Sequence, residues 1–127
     1  MHPAVAALTL ASVVLLAVLT FLVGRARGRH GVRAPATTGP EGFERAFRVQ
    51  QNTIESMVMF LPALWVAASV SDARVAAGIG LAWWIARVWY ALAYANPAGN
   101  RGPAFVLSVL AITALLVQGA WGLLALT

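Results

Sequence analysis

Residues 44–55 read ERAFRVQQNTIE, and residues 56–70 continue as SMVMFLPALWVAASV. Two arginines, two glutamates, two glutamines and an asparagine therefore run straight into an almost wholly apolar stretch. Polar groups at the head of a hydrophobic helix need water, a partner or a ligand, because an ionised side chain left alone in hydrocarbon costs several kcal/mol. What those groups serve decides both the fold and the function.

The chain around this stretch has 127 residues, of which 61% are hydrophobic and only 10% charged. That is one domain, residues 1–127, with too little polar surface for a soluble protein. Four apolar runs stand out, at residues 3–24, 43–70, 75–95 and 103–126. Each is close to the ~20 residues that cross ~30 Å of hydrocarbon as a helix. In that medium the backbone must bond internally, as helices or a closed barrel, and strand-length alternation is missing. The expected fold class is all-α, an integral membrane four-helix bundle. The first run lacks a basic leader and is too long for a cleaved signal, so it reads as a retained span.

Charge and composition narrow the function. Cysteine is absent, which removes disulfides, a thiolate nucleophile and cysteine metal sites. His2 and His30 have no ligand-like spacing, so no metal is expected. All nine basic residues are arginine, and with the abundant alanine this points to a GC-rich bacterial genome. Arg25, Arg27, Arg29 and Arg33 follow the first apolar run directly, the footprint of a cytoplasmic membrane-flanking loop and not of a nucleic-acid surface. The expected location is the bacterial inner membrane with both termini outside. Residues 25–42 and 96–102 would then lie inside, and the turn around Asp72 on the far side. The segment GRHGVRAPATTGPEG, residues 28–42, reads as an irregular loop, short enough to make the first two helices antiparallel neighbours. Trp65, Trp83, Trp84, Trp89 and Trp121 read as interface anchors or packing residues.

Arg45, Arg48, Asn52 and Glu55 are spaced 3, 4 and 3, which puts them on one helical stripe, flanked by Gln50 and Gln51. The stripe descends from the cytoplasmic mouth, and Pro62 follows seven residues after Glu55. On the third run Arg87, Tyr90 and Tyr94 are spaced 3 and 4, and Arg101 follows in the next loop. Both stripes fall in the same half of the membrane, so Arg87 and Glu55 are natural partners, either as a structural ion pair or as part of a site. Taken singly, Arg45 reads as an arginine reaching for headgroups and the tyrosines as interface packing. Together the set holds more cations than one buried carboxylate can neutralise, and that predicts an anionic guest. Arginine forks suit carboxylates, and Glu55 suits an ammonium group. The best-matched guest is a small zwitterion with an extra carboxylate, entering from the cytoplasm.

These residues also carry a resemblance. FERAFRVQQNTIE followed by FLPALW resembles the MAPEG family (membrane-associated proteins in eicosanoid and glutathione metabolism). Its pattern E-R-x-x-R-x-Q-x-N-x-x-E is met by Glu44, Arg45, Arg48, Gln50, Asn52 and Glu55. Arg87, Tyr90, Tyr94 and Arg101 meet the third-helix pattern, and Thr37 to Pro40 match its TTGP. The resemblance implies a homotrimer that binds glutathione as co-substrate between subunits, near the cytoplasmic side. By position, Arg48, Asn52, Glu55, Tyr90, Tyr94 and Arg101 would hold the tripeptide, joined by Arg87 on the same stripe, with Gln50 reaching a neighbouring subunit. The chain departs from the leukotriene-forming synthases in having Ser56 where they have tyrosine. Gly28 falls where they place a thiol-activating arginine, beside Arg27 and Arg29.

The resulting expectation is a membrane-embedded glutathione-dependent transferase or peroxidase. Arg101, assisted by Arg27 or Arg29, would favour the glutathione thiolate for attack on a lipophilic electrophile or hydroperoxide. The chain has no thiol of its own, so the substrate's thiol must act. The alternatives are a non-catalytic lipid- or glutathione-binding membrane scaffold, and a small transporter or purely structural membrane protein. Arg48 and Glu55 favour the enzyme, because the lipoxygenase-activating scaffold of the family lacks that arginine and has a shortened acid.

Overall fold

Prolines in the first turns of the first and fourth helices, side-chain N-caps on the first and third and a glycine stop after the first mark element ends in the computed structural model, which describes residues 1–127. The chain forms α1 (Pro3–His30), α2 (Glu41–Val70), α3 (Ala73–Ala95) and α4 (Gly102–Leu126). His2 caps α1 by accepting the Ala4 N–H at 3.1 Å. Asp72 caps α3 by accepting from Arg74 and Val75. All four helices are long and apolar enough to cross a membrane.

The first loop is shorter than the sequence pattern suggests. The helix continues through Arg25, Arg27 and Arg29 and stops at Gly31, whose φ of 67° is the left-handed conformation of a helix C-cap. Arginine is a good helix former, and cations in the last turn offset the helix dipole. Only residues 31–40 lie between α1 and α2. α2 runs as one helix through Pro62.

Helices α2 and α3 are central. α1 packs on both from one side and α4 on both from the other, and α1 does not touch α4. The core at the far end from the first loop is built on Phe60 and Trp83, stacked at 3.8 Å between ring centres and 6° between planes. Trp83 donates its indole N–H to Ser56 Oγ at 2.9 Å, which satisfies the one polar atom of a fully buried side chain. Gly80 lets α3 approach its neighbours closely, since a Cβ there would collide with Leu8 and crowd Leu64 and Phe60. Leu10, Phe21, Val58, Leu92, Leu116 and Leu124 are exposed, so the outer surface is apolar.

Candidate functional site

A cleft of about 680 Å³ opens between α2, α3 and the start of α4, at the end of the bundle that carries the two longer loops. Helix α2 contributes Arg48, Gln51, Asn52 and Glu55, which stand at i, i+3, i+4 and i+7 on one face. Helix α3 contributes Tyr90 and Tyr94, one turn apart. The third wall is Asn100, Arg101, Gly102 and Phe105. There Asn100 Oδ1 accepts the Gly102 N–H at 3.0 Å, so α4 begins on the cleft and turns the positive end of its dipole toward it.

The electrostatics are lopsided. Arg48 and Arg101 face a single carboxylate, Glu55, and none of the three is tied up in an ion pair within the chain. Arg101 Cζ lies 4.4 Å from the centre of the Tyr94 ring, and Arg45 Cζ lies 5.9 Å from the same ring. Arg45 also bonds Glu41 and donates to the Tyr94 carbonyl at 3.0 Å, so it ties α2 to the end of α3. A second depression, bounded by Glu41, Glu44 and Arg45, adjoins the cleft and shares Arg48, Tyr94 and Arg101 with it. Arginines and amides on these walls suit carboxylates, and Glu55 suits a cationic group.

Six residues singled out in the sequence thus share one cleft: Arg48, Asn52, Glu55, Tyr90, Tyr94 and Arg101. Four others do not line it. Arg87 does not pair with Glu55. Its guanidinium is fully buried behind the cleft and donates to Asn52 Oδ1 at 2.8 Å, Thr53 Oγ1 at 2.9 Å and Ser108 Oγ at 3.4 Å. Its Cζ lies 4.1 Å from the Tyr90 ring centre. Glu55 instead is exposed, because the seven-residue spacing that aligns it with Arg48 turns it away from the face that Thr53 and Ser56 bury against α3. Gln50 points the opposite way and donates to Thr20 of α1 at 2.9 Å. Arg27 donates to the Ala36 carbonyl at 2.7 Å and lies over Phe43, while Arg29 is exposed. Both sit on α1, which α2 and α3 separate from α4.

The sequence pattern marked Gln51 only as a flank of the stripe and did not mark Asn100, Gly102 or Phe105 as site residues. Gln51 was legible, since it lies three residues after Arg48 and four before Glu55. The other three become visible only once α4 docks. The departure at Ser56 also has a structural meaning. That side chain is turned into the core to meet Trp83 and takes no part in the cleft.

Below the cleft the same seam becomes apolar. A groove of about 500 Å³ is lined from α2 by Val58, Met59, Pro62 and Val66, the next turns of the helix face that carries Arg48 to Glu55. Leu116 and Leu123 face them from α4. A polar cleft and an apolar groove therefore lie end to end along one open seam.

The profile of the MAPEG family matches residues 5–121. An uncharacterised protein of Synechocystis is 44% identical over 115 residues, covering 91% of this chain and 83% of that one. Microsomal glutathione S-transferase 2 of Mus musculus is 42% identical over 100 residues, covering 79% of this chain and 68% of its own length. Leukotriene C4 synthase of Cavia porcellus is 40% identical over 120 residues, covering 94% and 80%.

Proposed function

The chain belongs to the MAPEG family of integral membrane proteins, and from that premise we propose that it is a glutathione-dependent transferase whose thiol-bearing substrate sits in the α2–α3–α4 cleft. The observation that carries the reading is the charge pattern of that cleft: Arg48 and Arg101 against the single carboxylate of Glu55, with amides and phenols between them. Glutathione has two carboxylates, one ammonium and one thiol. The arginines match the carboxylates, Glu55 matches the ammonium, and the similarity to a glutathione S-transferase and a leukotriene C4 synthase supports the choice of tripeptide.

In this reading Arg101 does the chemistry. A guanidinium beside the sulfur favours the thiolate over the thiol, and the thiolate is the nucleophile. The sulfur attacks an electrophilic carbon, a C–S bond forms, and the leaving group or opened epoxide oxygen takes up the charge and then a proton. With a hydroperoxide the sulfur takes the terminal oxygen instead, the O–O bond breaks and the alcohol leaves after taking up a proton, and the thiol of a second glutathione then displaces that oxygen as water to give the disulfide. The apolar groove adjoining the cleft suits the lipophilic partner of either reaction.

The assembly belongs to the same proposal. The seam of cleft and groove is open in the single chain, and a homotrimer would close it with neighbouring copies. A neighbour would bring in Arg27 or Arg29, which the protomer's own α2 and α3 keep from its cleft. It would also compete for Gln50. We place the site on the cytoplasmic side of a bacterial inner membrane, with both termini outside, on the strength of the arginines after the first span.

The test is a screen of the purified protein, in detergent and in lipid discs, with glutathione against halonitrobenzenes, epoxides and lipid hydroperoxides. Glutathione-saturable turnover of at least one class is expected. Absence of any glutathione binding would overturn the reading, and binding without turnover would leave a scaffold.

A further inference from the structure

Arg87 is the most deeply buried charge in the chain, with no carboxylate beside it. Three helices hold its guanidinium: α3 carries it, α2 meets it through Asn52 and Thr53, and α4 through Ser108. The Tyr90 ring lies against it at 4.1 Å. A guanidinium has only donors, so the atom that Asn52 turns toward it must be the amide oxygen. The opposite orientation would set N–H against N–H and leave a buried cation without its best acceptor. Asn52 is therefore held one way round. Its –NH2 group has no partner in the chain, and the residue lines the cleft.

We infer that Arg87 is a positioning residue, which locks the Asn52 carboxamide so that position 52 presents only a hydrogen-bond donor to the cleft. The group it selects is an anionic or carbonyl oxygen of the ligand. The inference rests on the glutathione reading for the identity of that ligand, and there the acceptor is a carboxylate or peptide oxygen of the tripeptide. Arg87 is thus a determinant of specificity that touches no ligand. The donor left over for the ligand is the reason an asparagine, and not an aspartate of the same shape, suits position 52. An aspartate would satisfy Arg87 equally well and would offer the ligand only acceptors.

The experiment is a double-mutant cycle on glutathione affinity, measured by calorimetry on the full chain in lipid discs. Asn52→Ala and Arg87→Lys should each weaken binding by about tenfold or more. The double variant should bind no more weakly than Asn52→Ala alone, because Arg87 acts through Asn52. Losses that simply multiply would overturn the inference, since a purely structural or long-range role for Arg87 does not depend on Asn52. Asn52→Asp, which keeps the shape and the partner, should lose as much as Asn52→Ala. Wild-type affinity in Asn52→Asp would overturn the inference even if Arg87→Lys fails to fold. A ligand-free arm separates this from the transferase reading. In isotope-labelled protein the Asn52 side-chain amide signals should differ between wild type and Arg87→Lys. Unmoved signals would sink the inference, whereas a wild type that binds no glutathione but shows the shift would sink the transferase reading alone.

Discussion

Arg101 and Tyr94 form a stacked pair across the α3–α4 junction, with the guanidinium carbon 4.4 Å from the ring centre. Arg101 is otherwise an exposed residue at the cap of α4. The ring restricts where its charge can sit, and such a contact is worth about 0.5–1 kcal/mol at an exposed site. Tyr94→Leu should free the guanidinium and raise the titration of bound glutathione more than Tyr94→Phe, which keeps the ring face. Equal shifts in the two variants would mean that the phenol hydroxyl, not the ring, is what matters.

Arg48 and Glu55 lie one above the other on the cleft wall, seven residues apart. Arg48→Ala removes a charge-assisted contact and should cost glutathione binding about 1.5–3 kcal/mol. Glu55→Gln should weaken it through the lost ammonium partner. Calorimetry on both variants checks this, with circular dichroism as the control for an intact bundle. Two unchanged affinities would leave the polar stripe a structural feature only.

The Ser56–Trp83 bond predicts an effect of the opposite kind. Ser56→Ala leaves a buried indole N–H without an acceptor and should lower thermal stability by about 1–3 kcal/mol. Ser56 takes no part in the cleft, so glutathione affinity should stay at the wild-type value. A change in affinity larger than the change in stability would show that the side chain reaches the ligand after all.

The proposed topology sets the α1–α2 loop on the cytoplasmic side, on the strength of the four arginines that follow the first span. The chain has no cysteine, so single cysteines introduced at Thr38 and at Ser71 report without background. They should label from opposite faces of the membrane in vesicles. Labelling of both from one face would refute the proposed topology.

Much of this was legible in the sequence, for reasons that differ along the chain. The four spans follow from hydrocarbon thickness and backbone satisfaction, and the ends of α3 and α4 fall within a residue of the apolar runs. The end of α1 does not, because a run of apolar residues marks where the membrane stops and not where the helix stops. Gly31 marks the latter. On α2, spacing alone placed Arg48, Asn52 and Glu55 on one wall. Pairing could not be read that way. Spacing gives the face of each helix but not the rotation of α3 against α2, and that rotation sends Arg87 to Asn52 and Thr53 instead of Glu55. Gln50 and Gln51 show the same limit within one helix, where a single step of about 100° separates Thr20 of α1 from the cleft.

The most direct test of a cleft that binds and activates glutathione is the pH dependence of the bound thiolate's ultraviolet absorption. Wild-type protein should lower the titration of the bound thiol well below that of free glutathione, because a cation beside the sulfur favours the charged form. Arg101→Ala should move it back upward, each unit being worth about 1.4 kcal/mol, with Arg27→Ala or Arg29→Ala moving it less. Bound glutathione that titrates in the wild type as it does in free solution would contradict the claim.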